Sequence, residues 1–443
     1  METRNLFGTD GIRTAVGSSP FTHHELPQLG KAIAAWTHAH YGNNPRILLA
    51  HDTRQSCAWV KSSLQSGLLL SPVKIFDAGV VTSPVVSQLL HYTTDYDCGI
   101  VISASHNSYE DNGIKLIDAH TGKLSQQAEE QITQLFFAQS NHEPDYTVLG
   151  TQTVLTAVSQ NYQEHITPFF EPKFLQGLKI VLDCAHGAAW QLAPALFKHY
   201  GACVVALHNA PNGININKQS GAVYPQALQK AVVSHHADIG FAFDGDGDRV
   251  ICVNKHGQLK NGDDVLALLL AHPTYKETKT VVGTSMTNQG FENYLLKQNK
   301  TLIRANVGDK YVWQEMVKRN LPLGGEPSGH IITRDYLPTG DGIFNALRVM
   351  QAILNSDNVE MTTFTKYPQV IINVPVMRKP KLDTEPLASL IAASDAQIKQ
   401  GRIIVRYSGT EPLLRIMIEE EHFEQAQAIG SQLAQKLKKN LSN

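Results

Sequence analysis

The sequence has few cysteines, five in 443 residues, and lacks a CxxC pair, which excludes a disulfide framework and a structural zinc site. Cys57, Cys98, Cys184, Cys203 and Cys252 are scattered, mostly inside apolar strand-like runs. They are expected to be buried free thiols of a reducing compartment, the cytoplasm. Long hydrophobic runs are also absent. Stretches such as Val265–Ala271 are far too short to span a bilayer, and Met1–Gly8 lacks the apolar core of a signal peptide. Charge of one sign is not in excess: 38 Lys and Arg against 40 Asp and Glu give −2. That balance argues against nucleic acid, a membrane surface or a disordered acidic tail as partners. There is no GxxxxGK[ST] loop and no convincing GxGxxG, so nucleotide binding has no support. What remains is a globular chain, 42% hydrophobic and 18% charged, too long for one core.

One pattern of elements occurs three times. Thr22–Tyr41 reads as a helix, with Thr22 and Glu25 as a capping box and Leu26, Leu29, Ile33 and Trp36 on one face. A strand from Arg46, a helix near Cys57–Leu70, a strand at Val73–Phe76 and a helix at Pro84–His91 follow. They lead to a buried strand, Cys98–Ile102. The order recurs from Lys179 to a strand ending at Asp244, and again from Lys279 to a strand at Leu323–Gly325. Each unit predicts a mixed, mainly parallel α/β sheet with helices on both faces. The remainder, from Lys366 onward, reads as strand, helix, two strands and a closing helix. The expected architecture is three similar α/β domains, 1–150, 151–252 and 253–364, and a smaller α+β domain, 365–443, around a central cleft. Ligands of open α/β sheets bind at the carboxyl ends of strands, so the loops after each unit's third strand are the candidates for function.

The first such loop is Ser103-Ala104-Ser105-His106-Asn107. It places the Ser105 hydroxyl at the end of a buried strand; alone, it also reads as a plain turn. His106 follows directly, and neighbours in extended chain point to opposite faces, so it is expected to hydrogen-bond within the loop and not to serve as the base of a Ser-His pair. Lys115, beyond an Asn112-Gly113 turn, can return toward Ser105 or lie on the surface. The second loop is Asp244-Gly245-Asp246-Gly247-Asp248-Arg249. Glycines between the acids let three carboxylates face one ion, and oxygen-only ligation suits Mg²⁺ or Ca²⁺. An EF-hand would need Gly at Arg249, Glu at Lys255 and helical flanks, so that motif is excluded. Mg²⁺ fits better, because few protein ligands leave room for a phosphate oxygen. An oxygen nucleophile on one loop and a hard-cation site on another point to phosphoryl transfer.

Three further stretches are weaker alone. Gly8–Arg13 brings an arginine near the N-terminus. Glu326-Pro327-Ser328-Gly329-His330 offers an acceptor, a hydroxyl and an imidazole. Arg406-Tyr407-Ser408-Gly409-Thr410, with Arg415 after it, supplies hydroxyls, backbone N–H groups and two guanidiniums, a set suited to phosphate.

Taken together, LFGTDGIR (6–13), ISASHN with NGIK (102–115), FDGDGDR (243–249), GGEPSGH (324–330) and RYSGTEP (406–412) resemble the α-D-phosphohexomutase superfamily over essentially the whole chain. Asn212–Asn217 and Arg304–Asp309 lean toward its glucosamine-phosphate branch. The resemblance implies a phosphate carried on Ser105, one Mg²⁺ held by that phosphate with Asp244, Asp246 and Asp248, and Arg13, Lys115 and Arg249 around it. It implies proton transfer by Lys115 or His330. Sugar hydroxyls would be held by Glu326 and Ser328, with His330 beside them, and a second phosphate by Arg406, Ser408, Gly409, Thr410 and Arg415. The implied reaction interconverts glucosamine 6-phosphate and glucosamine 1-phosphate through a bisphosphorylated sugar, for amino-sugar nucleotide synthesis, in a cytoplasmic monomer or homodimer. The alternatives are a phosphomannomutase/phosphoglucomutase, a phosphatase in which water intercepts the phosphoserine, and a non-catalytic sugar-phosphate binder. Pro327 stands where this branch commonly has Gln or Asn, Ser108 where Pro commonly follows SHN, and His51 precedes Asp52-Thr53-Arg54 in place of a more usual residue.

Overall fold

In a computed structural model, residues 5–8, 10–138, 145–408 and 412–441 are described. The chain forms two compact units, residues 1–284 with 305–362, and 285–304 with 363–443.

The first unit contains three sheets. In the first, Arg46–His51 pairs in parallel with both Lys74–Val80 and Cys98–Ile102. Cys98–Ile102 then pairs antiparallel with Asp111–Asp118, which pairs antiparallel with Ile12–Ala15. Helix Glu25–Tyr41 covers one face through Leu26, Leu29, Ile33 and Trp36, all buried. It starts three residues later than the sequence reading. Thr22 does hydrogen-bond Glu25, its Oγ1 accepting from the Glu25 N–H at 3.2 Å and donating to Oε2 at 2.8 Å, but it does so as a turn before the helix. Cys98–Ile102 is buried throughout, each apolar side chain contributing about 1.5–3 kcal/mol relative to exposure.

The second sheet repeats the arrangement. Lys179–Asp183 lies in parallel between Cys203–Leu207 and Ile239–Phe243, and Val250–Asn254 adds antiparallel to the latter. In the third, Thr280–Thr284 pairs in parallel with Leu323–Gly325, which pairs antiparallel with Ile331–Thr333. Mixed sheets arise because each third strand turns back on itself through its functional loop.

The second unit has a three-stranded antiparallel sheet, with Leu413–Glu419 between Gln369–Pro375 and Arg402–Tyr407. Helix Phe423–Leu441 packs on it through Ala426, Ile429, Leu433 and Leu437. The protein therefore has three α/β domains followed by a smaller α+β domain. Four of the five cysteines are buried and all are free; Cys203 is exposed. Among the described residues no helix is long and apolar enough to cross a membrane.

One local reading is corrected. Asn112-Gly113 is not a turn; both residues lie inside strand Asp111–Asp118. A Cβ on Gly113 would lie 2.3 Å from the Ser103 carbonyl, so glycine there serves close backbone approach.

Candidate active site

The carboxyl ends of the three third strands bring their loops together within the first unit. Ser105, after Cys98–Ile102, holds a left-handed φ of +51°. Its Oγ donates to Asp244 Oδ2 at 2.7 Å, and Asp244 follows Ile239–Phe243 in the next domain. His106 does hydrogen-bond within its loop, and the same φ sets its partner. A left-handed residue breaks the alternation of extended chain, and His106 Nδ1 comes to 3.3 Å from Ser105 Oγ. Burial and the nearby Arg249 and Arg13 charges push His106 down to about 3, so it is a neutral imidazole.

Asp244, Asp246 and Asp248 are all buried, and one carboxylate oxygen from each lies within 4.8 Å of the others. Asp246 Oδ1 has no hydrogen-bond partner among the described residues. Burial and its two aspartate neighbours hold Asp244 well above the usual carboxylate range. Buried, mutually repelling hard oxygen donors with an unpartnered lone pair fit a divalent cation, and the loop is a metal-ion site.

Lys115 is buried on strand Asp111–Asp118, opposite Val101, and is not a surface lysine. Its Nζ lies 2.8 Å from Asp246 Oδ2, 3.0 Å from Asp248 Oδ2 and 2.9 Å from Asp10 Oδ2. Burial works against its charge, but the three carboxylates outweigh that and hold it protonated. Arg13 pairs with Asp10. Gly11, at φ +82°, lets this segment lie against the Lys115 strand, since a Cβ there would sit 2.5 Å from the Ile114 carbonyl. Arg249 Nε is 3.9 Å from both Asp244 Oδ2 and Asp248 Oδ1.

In the third domain, His330 Nδ1 is 3.6 Å from Asp248 Oδ1, and its Nε2 accepts from the Gly340 N–H at 3.0 Å. Burial opposes its protonation, and Asp248 and Asp309 outweigh burial to raise its pKa. Glu326 is buried and its Oε1 accepts from the Gly308 N–H at 3.0 Å, while Ser328 is exposed. Ser105, Arg13, Lys115, Arg249, His330 and the three aspartates are thus gathered by this unit.

The second unit places Arg406 opposite Arg415 across two strands. With Met286, Ile371, Asn373, Ile404 and Met417 they line a pocket of about 270 Å³. Burial and the facing Arg415 lower the Arg406 pKa. Ser408 is buried; Gly409 and Thr410 lie outside the described residues.

Several residues of the first-unit site escaped the sequence reading. Asp10 sits inside the Gly8–Arg13 motif, which was read only for its arginine. Ser83 opens helix Ser83–Tyr92, and its Oγ donates to Asp246 Oδ2 at 2.6 Å. Asp309, in a stretch noted only as a branch signature, lies 3.5 Å from His330 Nε2. Asn217, from the other such stretch, donates to the Ser105 carbonyl at 2.8 Å.

Comparison with known proteins fits this geometry. Four models described as Phosphoglucomutase/phosphomannomutase match in order: alpha/beta/alpha domain I at residues 4–143, domain II at 160–257, domain III at 261–367, and the C-terminal domain at 371–436. A phosphoglucosamine mutase of Acinetobacter baumannii is 40% identical over 439 residues, covering 97% of this chain and 98% of the relative. The chain belongs to the phosphoglucosamine mutase family of phosphohexomutases. It is an isomerase of that class. Solved folds agree. A phosphoglucomutase/phosphomannomutase family protein of Burkholderia thailandensis superposes with a TM-score of 0.79 at 22% identity, covering 98% of this chain and 97% of that one. An N-acetylphosphoglucosamine mutase of Aspergillus fumigatus, solved with GlcNAc-6P and magnesium, gives 0.69 at 16% identity, covering 98% and 96%.

Proposed function

We propose that this phosphohexomutase interconverts glucosamine 6-phosphate and glucosamine 1-phosphate, supplying amino-sugar nucleotide synthesis in the cytoplasm. The carrying observation is the Ser105 hydroxyl, 2.7 Å from Asp244 of the acidic loop, on a chain 40% identical to a phosphoglucosamine mutase. Ser105 carries the phosphate. It gives the phosphoryl group to one sugar hydroxyl, the resulting bisphosphorylated sugar turns around, and Ser105 takes back the other phosphate. Asp244, Asp246 and Asp248 are the residues to hold Mg²⁺, which neutralises phosphate charge when bound. Lys115 and Arg249 flank the position of the transferring group, and Arg13 adds a third cation. Positioning and charge neutralisation dominate such reactions, so pre-set cations need no reorganisation during transfer. Lys115 and His330 are the groups placed to exchange protons with the sugar oxygens. Glu326 and Ser328 hold sugar hydroxyls, while Arg406, Ser408, Gly409, Thr410 and Arg415 bind the phosphate not being transferred. The domain divisions near residues 150, 252 and 364 belong to the same proposal.

A second reading, phosphomannomutase/phosphoglucomutase activity, draws on Pro327, which offers no side-chain polar atom to an amino group. A coupled assay across glucosamine, N-acetylglucosamine, glucose and mannose phosphates separates the two. The proposal expects glucosamine phosphate to be the best substrate; outright preference for mannose or glucose phosphate overturns it.

A further inference from the structure

The serine loop is gripped from behind, on its carbonyl side. Arg54, buried and paired with Asp52 at 2.9 Å, donates from Nη2 to the Ser105 and Asn107 carbonyls at 3.0 and 2.9 Å. Asn217 donates to the same two carbonyls, at 2.8 and 2.9 Å. Both neighbours of its amide nitrogen are acceptors, so only the NH₂ end can face them. Asn217 is itself fixed: it is 5% exposed, its N–H donates to the Ala185 carbonyl at 2.8 Å, and its φ is +57°. A Cβ on Gly245 would lie 2.5 Å from the Ser105 carbonyl and 2.8 Å from Asn217 Nδ2, so the clamp sits directly on the acidic loop.

The two donors differ in origin. Arg54 belongs to the same sheet domain as Ser105. Asn217 belongs to the domain that carries Asp244. We propose that Asn217 is a positioning residue that ties the serine loop to the metal-site domain, holding Ser105 in its left-handed conformation with Oγ aimed at the acidic loop. The reaction it serves is the phosphoryl transfer proposed above, and the inference rests on that reading. Asn217 touches neither substrate nor metal in this role. It acts by fixing Ser105, which must be realigned identically in both halves of the reaction, and misplacement by about 1 Å can cost a hundredfold in rate.

Two variants test this in the full chain. Asn217→Gly accepts the same φ and removes the amide. Asn217→Asp keeps shape and φ but turns an acceptor toward two carbonyls. Turnover is expected to fall at least about tenfold in both, more in the aspartate, with KM within about threefold of wild type. Amide hydrogen exchange in residues 105–108 is expected to speed up about tenfold or more in both. Wild-type-like turnover in Asn217→Asp, or a loss confined to KM, overturns the proposal. If Asn217→Asp fails to fold, Asn217→Gly carries the same two outcomes. A wild type without mutase activity on any hexose phosphate overturns the functional reading instead. The clamp is then judged on exchange alone, where unchanged protection of 105–108 overturns it.

Discussion

Ser105 and Asp244 stand 139 positions apart, on different sheets, yet the serine hydroxyl donates to the aspartate at 2.7 Å. Each residue follows a fully buried strand, Cys98–Ile102 and Ile239–Phe243. Rigid strands hold both loops, so the pairing is a property of how two cores dock, and chemistry that joins a nucleophile to a cation site requires that docking.

Removing the hydroxyl tests the nucleophile. Ser105→Ala keeps the Cβ, so the left-handed strain is unchanged and the hydrogen bonds to Asp244 and His106 are lost, about 1 kcal/mol of stability each. Turnover should fall at least about 10⁴-fold, because no other oxygen takes its place. Intact-mass measurement should find phosphate on the wild type and none at this position in the variant. An active, unphosphorylated Ser105→Ala enzyme would falsify the mechanism.

The acidic loop is tested by charge. Asp246→Asn removes one of three carboxylates and also weakens the pairing with Lys115, 2.8 Å away. Calorimetric titration should show Mg²⁺ affinity at least about tenfold weaker. EDTA should inactivate the wild type and Mg²⁺ restore it. Activity that survives exhaustive chelation means the loop is structural.

The threefold repeat was legible because buried strands are short apolar runs, and the loops after them break that pattern visibly. The strand carrying Lys115 was not. In Asp111-Asn112-Gly113-Ile114-Lys115 the polar Asn112 and Lys115 are buried, one against Ser56 and the other among carboxylates, where sequence logic expects solvent, and Asn112-Gly113 reads as a turn. Lys115 could be suspected but not placed, because its partners Asp10, Asp246 and Asp248 lie at least 105 positions away. The contact of His106 with Ser105 depends on a backbone angle that no side-chain pattern announces. Asn217 was visible only as part of a branch signature, since its partners are main-chain carbonyls and carbonyls have no residue type.

Arg415 tests the second unit. It faces Arg406 across the sheet, and two guanidiniums side by side suit an anion. A charge-assisted contact to phosphate contributes about 1.5–3 kcal/mol, so Arg415→Ala should lower kcat/KM roughly tenfold to a hundredfold. The loss should appear mainly in KM. An unchanged kcat/KM shows that this face does not bind substrate phosphate.

Specificity turns on Pro327. Gln at this position could hydrogen-bond a 2-amino group; proline has neither a polar side-chain atom nor a backbone donor. One such bond is worth about 0.5–1.5 kcal/mol, at most about tenfold in discrimination. The wild type should therefore show measurable glucose phosphate activity beside its preferred glucosamine phosphate, and Pro327→Gln should sharpen the preference. Identical substrate ratios in the two enzymes would place recognition of C2 elsewhere.

Stability against pH tests a buried junction away from the acidic loop. Asp341 caps helix Gly342–Ser356, its Oδ1 accepting from the Phe344 N–H at 3.0 Å, and its Oδ2 accepts from Tyr162 at 2.8 Å and Tyr336 at 3.3 Å. Gln88 donates to the same Tyr336 hydroxyl at 2.8 Å, so residues of all three α/β domains meet here. Burial pushes Asp341 up to about 6, against 3.8 for an ordinary aspartate, despite hydrogen bonds that favour its charge. The folded state therefore binds the proton more tightly than the unfolded one. Its contribution is fully present below about pH 4 and is lost as pH rises through 6, a swing of about 3 kcal/mol. Asp341→Asn is neutral at every pH and still caps Phe344. Its stability relative to wild type, from urea unfolding, should thus improve steadily between pH 4 and pH 7, whatever its absolute value. A difference that does not change over this range would mean that Asp341 titrates normally, and that the junction does not desolvate it.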